Sequence, residues 1–432
     1  MFEAAVEISR EWDAYTAGQE VVASILKQLN GEPTFMLVYA STHYKKNGGF
    51  QKILDAIYKK IPSTTPITGG TVTGFLCSKG CFTRGVAVFA VRSDEIQVNT
   101  SCAHGVRRNP VRTAEKCAEN LEKNVDLKSF QNRLLINIEP GPTMPVVPGM
   151  KHPLIVAKSG ILAKLAPKLL ILSTILLNKG MGRENELLDT FGNRIKNGLV
   201  VGGSSSDDNK YSDNYQFYFN KVFDDAFVVL DCTTNLNIIT KAASAVRSPT
   251  EWFNISKASG LRHVIVKIAE KSALDIYTKA YRLKSDIVFE VRNVHRCFVF
   301  APLVTIDKFG VQHARVPGTF YGKTIGVGHQ IQTNSIGFAS TSAADMIKTV
   351  EKVFDEENIR NSKSYVMFSC AVMLETLGDK VYNVFEKIQK QTNGKPYLLV
   401  FSGGENYRTS ETLTISTSVH LTELSLTMAG IG

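Results

Sequence analysis

No uncharged apolar run in this sequence is long enough to cross a bilayer. The longest candidate, residues 155–177, is broken by Lys158, Lys164 and Lys168, which argues against a span and for a helix leading into a strand, so no membrane partner is expected. Met1-Phe2-Glu3-Ala4-Ala5-Val6-Glu7 carries acids where a secretory leader carries bases, so a signal peptide is not expected and the cytoplasm is. Low-complexity tracts are absent. Cysteines number seven, an odd count that excludes a closed disulfide framework and fits a reducing compartment. Basic residues gather only in pairs (Lys45-Lys46, Lys59-Lys60, Arg107-Arg108) without interleaved aromatics, so the net charge of +10 reads as solvated surface and no nucleic-acid partner is expected. No Gly-Lys-Ser/Thr follows Gly202-Gly203, which excludes a phosphate-cradling loop, and no Gly-x-Ser-x-Gly elbow surrounds Ser205. Cys-x-x-Cys-His is also missing, so any haem would be held non-covalently.

What is present is one phrase written three times: apolar strand, loop, amphipathic helix, second apolar strand, Gly-Gly. The first copy runs from Phe35-Met36-Leu37-Val38-Tyr39 through a helix over 50–61 to Ile67-Thr68-Gly69-Gly70-Thr71. A second runs from Leu169-Leu170-Ile171-Leu172 through 184–196 to Leu199-Val200-Val201-Gly202-Gly203-Ser204. The third runs from Tyr365-Val366-Met367-Phe368 through 380–390 to Leu398-Leu399-Val400-Phe401-Ser402-Gly403-Gly404-Glu405. Each is a βαβ signature. Two glycines after a buried strand permit positive φ and close approach of backbone N–H groups to a ligand, and in open α/β sheets ligands settle beyond the carboxyl ends of strands. A single Gly-Gly is as well explained by a tight turn. Three in corresponding places favour a binding surface.

With 432 residues the chain exceeds one ordinary core. The fold class expected is α/β: two domains with layered mixed β-sheets covered by helices, built on repeated βαβ units that end in Gly-Gly turns. The boundary is sought within 231–256 and set at 240, giving domains 1–240 and 241–432. Before it, strands at 215–219 and 226–230 flank a turn at 220–225. After it come short strands at 264–268, 287–290, 297–300 and 326–328, with a helix over 272–281. Residues 139–149 hold four prolines and two glycines and read as a covering loop.

The chemistry-bearing candidates follow from the glycine turns. Gly69, Gly70, Gly202, Gly203, Gly403 and Gly404 would offer N–H donors to a small-molecule ligand. Thr71, Thr73, Ser204, Ser205, Ser206 and Ser402 would orient it, and Glu405, expected at a sheet edge, would match an amine. Cys370, ending a strand, is a binding candidate and could be a nucleophile activated by His420, though a buried core thiol is the commoner reading. Ser204-Ser205-Ser206-Asp207-Asp208 could equally cap a turn. Cys77-x-x-x-Cys81 with Cys102-x-His104 offers four soft ligands at spacings looser than zinc knuckles, and no metal is expected there.

The glycine turns Ile67-Thr68-Gly69-Gly70-Thr71-Val72-Thr73-Gly74 and Val200-Val201-Gly202-Gly203-Ser204-Ser205-Ser206-Asp207 resemble those of the FIST family, in its N-terminal domain. Ile255-Ser256-Lys257-Ala258-Ser259-Gly260, Phe368-Ser369-Cys370-Ala371, Phe401-Ser402-Gly403-Gly404-Glu405 and Thr417-Ser418-Val419-His420-Leu421 are similar to its C-terminal domain. Order and spacing over about residues 20–425 carry the resemblance. It implies a sensory module of intracellular signal transduction, with an amino acid or a derivative as ligand, no cofactor, and a separate signalling protein as partner, since no output domain is recognisable. Haem-binding relatives and a hydrolase-like use of Cys370 or Ser205 stand as alternatives; catalysis is not the expectation. The arginine that relatives often carry after Ser-Cys is replaced here by Ala371-Val372-Met373, which implies a different ligand.

Overall fold

The computed structural model describes residues 1–123, 130–146, 153–294 and 297–432. The chain repeats one unit three times. Each unit is an edge strand, a helix, a first parallel strand, a crossover helix, a second parallel strand, a two-stranded ribbon and a return strand. In the first unit these are Phe2–Ser9, Ala14–Gln28, Phe35–Ala40, Phe50–Tyr58, Ile67–Thr71, the ribbon Gly74–Cys77 with Gly80–Phe82, and Val86–Ser93. In the second they are Ile96–His104, Pro110–Glu122, Asn132–Pro140, Glu184–Arg194, Leu199–Ser205, the ribbon Gln216–Tyr218 with Lys221–Phe223, and Ala226–Thr234. In the third they are Ile238–Ser244, Ala343–Val353, Ser364–Cys370, Val381–Thr392, Tyr397–Ser402, the ribbon Glu405–Arg408 with His420–Thr422, and Ser425–Ile431. The second unit carries an insertion between its parallel strands, the third a larger one after its edge strand. Strand Val156–Ala157 of the first insertion joins strands of the second in a nine-stranded sheet.

No unit completes its own sheet. The ribbon leaving the first unit pairs with Tyr397–Ser402 of the third, that of the third with Leu199–Ser205 of the second, and that of the second with Ile67–Thr71 of the first. Three six-stranded sheets of identical order result, closed by a cyclic exchange. Apolar faces follow from alternation and helical spacing. One face of all three sheets meets in a shared core containing Phe35, Leu37, Tyr39, Leu134, Ile136, Val201, Val366, Phe368 and Val400. The outer faces are each covered by that unit's helices: Ala17, Val21, Ile25, Ile53 and Ile57 on the first, Cys117, Leu121, Leu187 and Phe191 on the second, Met346, Val350, Val384 and Ile388 on the third. Among the described residues no helix is long and apolar enough to cross a membrane.

The expected parallel pairs form at 35–40 with 67–71 and at 364–370 with 397–402. The second unit needs correcting. Its first strand is Asn132–Pro140, and Leu169–Leu172 lie inside the helix Gly160–Leu177. Ala163, Ala166, Leu170, Ser173 and Thr174 of that run are buried at helical spacing, and an apolar stretch of this length rich in Leu, Ala and Lys favours helix over strand. Residues 287–290 and 297–300 are also not strands: Ser285–Phe289 and Phe298–Phe300 are single 3-10 turns that bury Val288, Phe298 and Val299. Within the turn expected at 220–225, Lys221–Phe223 is ribbon. The covering loop begins only after Pro140, the last residue of a strand, and Val147, Pro148 and Gly149 lie outside the described residues. Position 240 falls in Ile238–Ser244, the edge strand that opens the third unit.

Gly69-Gly70 and Gly202-Gly203 are not turns but strand interior, where three strands are squeezed together. Gly69 has φ +148°, and a Cβ there would stand 1.9 Å from the Val38 carbonyl oxygen. At Gly203 a Cβ would meet Ser402 Oγ at 2.5 Å and the Gly404 carbonyl oxygen at 2.7 Å. Gly69→Ala is therefore expected to cost about 3 kcal/mol or more, combining backbone strain with overpacking. Urea unfolding monitored by circular dichroism checks this. A midpoint equal to the parent's would show that the strands spread apart at no cost.

Candidate ligand-binding site

The ladder register fixes which residues correspond across units. Gly70 faces Gln216, Gly203 faces Glu405, and Phe401 faces Gly74. Every crossing thus has one glycine, on the strand in two units and on the ribbon in the third. Gly403-Gly404 sits three residues beyond the equivalents of the other pairs, past the end of Tyr397–Ser402. The N–H of Gly403 donates to the Ser204 carbonyl (2.8 Å) and that of Ser204 to the Gly404 carbonyl (3.1 Å). Thr73 N–H donates to the Phe401 carbonyl (3.0 Å) and Ser206 N–H to the Thr71 carbonyl (2.8 Å). The Thr73 and Ser206 hydroxyls lie 2.9 Å apart. The three glycine segments, distant in sequence, therefore converge on one hub, stitched by the N–H groups of Thr73, Ser204, Ser206 and Gly403, of which only Gly403 was an expected ligand donor.

Glu405 is corrected. It is fully buried, not at a sheet edge, and its Oε2 accepts from Ser425 N–H (3.2 Å) and Ser425 Oγ–H (2.8 Å). Its counterpart Gln216 accepts from Ala226 N–H through Oε1 (2.9 Å). Both side chains tie the start of a ribbon to the start of the return strand, which is a structural task. Ser204 and Ser402 are likewise spent inside the hub, on Glu139 Oε1 (3.0 Å) and the Gly404 carbonyl (3.0 Å). Ser205 Oγ contacts Asn214 Oδ1, the Glu139 carbonyl and Gln216 Nε2. None of these is a general base.

Four of the expected residues, Ser205, Ser206, Cys370 and Gly403, line a cavity of about 40 Å³ where the inserted layer covers the hub. Asp207, Asn209, Tyr211 and Glu423 complete its polar wall, with Val316 and Gly328 contributed by the inserted layer. Asp207 shapes the wall by accepting the N–H groups of Lys210, Tyr211, Ser212 and Asp213. Gly69, Gly70, Thr71, Thr73, Gly202, Gly203, Ser204, Ser402, Gly404 and Glu405 do not line it.

Behind this wall, charge is concentrated out of water. His329, fully buried, stands with Nδ1 3.7 Å from Glu184 Oε2 and Nε2 3.6 Å from Glu423 Oε1. These are ion-pair distances without hydrogen bonds, and both His329 nitrogens and both Glu184 oxygens are buried without a hydrogen-bond partner. Burial disfavours the His329 charge, yet Glu184 and Glu423 hold its pKa above the ordinary value. Burial raises Glu423, and pushes Glu139 up to about 7 with help from Glu184. The Cys370 thiol is driven well above its usual range by burial and by Glu405 and Glu423. A thiol so disfavoured as thiolate is a poor nucleophile.

His420 does not serve Cys370. Its Nδ1 lies 3.1 Å from Asp307 Oδ2, and His313 Nε2 lies 2.9 Å from the same oxygen. Among the described residues, Asp307, His313 and His420 are the one group with three metal-ligand atoms within 4.8 Å of one another. Cys77, Cys81, Cys102 and His104 form no such group. The two imidazole contacts hold Asp307 below the usual carboxylate range against the opposing effect of burial, while burial takes His313 down to about 4. His263 is likewise lowered by burial to about 4, and His43 and His104 line surface clefts. His152 and His295 lie outside the described residues.

The FIST N domain model matches residues 34–271, more than half of the chain. The chain belongs to the FIST family. FIST domains form a sensory family associated with signal transduction. The match spans the first and second glycine strands and the opening of the third unit. No curated protein matches the sequence.

Sequence reasoning missed Glu139, Glu184, His329 and Glu423. Each carries an ordinary local context, and only the fold shows that it is buried. A carboxylate closing an apolar strand, as Glu139 does after Leu134-Leu135-Ile136-Asn137-Ile138, was the one available hint.

Glu405→Gln tests the structural assignment. The folded-state pKa of Glu405 is raised well above 4.5 by burial, so the folded state binds a proton that the unfolded chain releases, and parent stability falls as pH rises above about 4.5. Glutamine repeats the bond made by Gln216 and does not titrate. The variant is expected within about 1 kcal/mol of the parent at pH 5 and progressively more stable than it toward pH 8, read from urea midpoints. Parallel pH profiles would refute the assignment.

Proposed function

We propose that this FIST-family chain is a small-molecule-binding sensory module whose ligand enters the cavity between hub and inserted layer, and that it passes its signal to a separate protein. The observation that supports this most is a small cavity beside the hub, between the second and third units and the inserted layer, in which Ser205, Ser206, Asp207, Asn209 and Glu423 place polar groups within a lining that also includes Pro142, Val316, Ala371 and Val372. Asn209 Nδ2, on the cavity lining, is buried without a hydrogen-bond partner, and a ligand acceptor placed there would recover the free energy that leaving it unpaired costs.

The cavity has room for roughly three waters on the scale of ~10–15 Å³ each, which suits a compact polar headgroup. The acceptors Glu423 and the Ser205 and Ser206 hydroxyls suit a primary ammonium, as in an amino acid or an amine derived from one. Because Val316, Gly328 and His329 belong to the inserted layer while Glu184, Cys370 and Glu423 belong to the hub, a ligand that neutralises Glu423 changes how tightly the two layers are held. That gives binding a mechanical consequence.

A thermal-shift screen across amino acids, polyamines, nucleotides and metal ions should raise the melting temperature for a cationic ligand. Glu423→Gln should then weaken its binding by about 1.5–3 kcal/mol in titration calorimetry, while Cys370→Ala retains it. Turnover of a hit, abolished by Cys370→Ala or Ser205→Ala, would replace the sensor reading with an enzymatic one.

A further inference from the structure

The helix Gly160–Leu177 is the most apolar surface feature of the molecule. One side packs inward through Ala163, Ala166, Leu170, Ser173 and Thr174. The opposite side presents Ile161, Leu162, Leu165, Leu169, Leu172 and Leu176 to solvent, with Ile161 75% and Leu176 61% exposed. At 100° per residue these six fall within one 100° stripe. Surface leucines occurring singly need no explanation, but a contiguous apolar stripe marks a contact face.

Charge selects the partner. Of the bases in residues 158–183, Lys158, Lys179 and Arg183 pair with Asp286, Asp213 and Glu186, which leaves Lys164 and Lys168. Lys164 and Lys168 run along one edge of the leucine stripe. Beyond that edge lies a groove of about 550 Å³, with Ala163, Pro167, Ile171, Val266 and Tyr321 in its apolar lining. Lys257 and Lys323, exposed on the inserted sheet, stand on its far side. Lys164, Lys168 and Lys257 form no ion pair with described residues, and Lys323 pairs with an exposed Asp275 at 3.3 Å.

An exposed leucine stripe flanked by unpaired lysines, on a helix whose other side packs into the protein, is a surface suited to a membrane interface. A second copy of the chain would bring lysine rows of equal sign together. Among the described residues no helix is long and apolar enough to cross a bilayer, so the contact is peripheral, a departure from the sequence expectation of no membrane partner. We propose that this face docks the protein on an anionic lipid surface, the leucine stripe entering the boundary between headgroups and acyl chains while Lys164, Lys168, Lys257 and Lys323 meet lipid phosphates and carboxylates. The face is separate from the cavity at the hub, so this docking does not depend on the ligand reading.

Full-length protein is sedimented with vesicles of phosphatidylcholine alone and with added phosphatidylserine. Binding is expected only to the anionic vesicles and should weaken with added salt. The exposed double substitution Leu165→Glu with Leu172→Glu should reduce it at least tenfold at unchanged melting temperature, and neutralising Lys164 or Lys168 to Gln should each reduce it roughly fivefold. Independently, Leu169→Trp should shift its emission to the blue when anionic vesicles are added, which a merely electrostatic attraction of a basic protein would not produce. The proposal is overturned by absence of sedimentation at low salt, or by vesicle binding that the leucine substitutions and the tryptophan leave untouched. It is also overturned by a native-mass dimer that the leucine substitutions split in a protein that ignores vesicles, since the face would then join two copies.

Discussion

The fold depends on three strand crossings at which backbone must touch backbone. At each, the strand that ends a βαβ unit runs alongside a ribbon from another unit, and one of the two must lack a side chain: Gly70 against Gln216, Gly203 against Glu405, Gly74 against Phe401. Contact this close is what lets each unit finish its neighbour's sheet. Because the exchange is cyclic, removing any one unit leaves another with an unfinished sheet edge. The three units therefore stand or fall together, and the shared core drawn from all three sheets is the energetic expression of that dependence.

The same crossings create the polar centre. Where the units converge, the strand ends bring Glu139, Ser204, Ser402 and Cys370 to the hub, and these residues are polar or polarisable. A convergence of this kind cannot be filled by an apolar side chain from each unit without blocking the crossings. Serine, threonine and glycine occupy it, and their hydrogen bonds hold the hub. The insertions then roof it with a second polar layer carrying Asp307, His313, Arg315 and His329. Arg315, fully buried, donates from one guanidinium nitrogen to the carbonyls of Ala314 and Leu421, bonding the roof to the third unit's ribbon. A roof attached by charge and hydrogen bonds responds to protonation, as a purely apolar contact would not.

Enzymatic readings weaken on the same geometry. Ser205 has amide and carbonyl neighbours, Cys370 is held as a thiol by burial and by two carboxylates, and His420 is turned toward Asp307. Each of these side chains is catalytic only with a partner, and the hub supplies other partners.

The sequence by itself determined the strand-helix-strand centre of the first and third units. Apolar alternation and helical spacing identified both parallel pairs that are contiguous in the pattern, 35–40 with 67–71 and 364–370 with 397–402, because local periodicity reports which face is buried. It placed the glycine segments and four residues of the cavity, Ser205, Ser206, Cys370 and Gly403. It mistook Leu169–Leu172 for a strand because an insertion separates Asn132–Pro140 from its partner and a buried apolar run of four looks the same in helix or strand. Only the tertiary structure decided what the glycines are for, since the need for a missing Cβ comes from backbone on neighbouring segments: Val38 for Gly69, Tyr215 for Gly70 and Gly404 for Gly203. It alone decided that Glu405 is a brace and Glu423 a cavity wall. The two acids are eighteen residues apart and locally unremarkable, and their difference lies in what the cyclic exchange sets beside them.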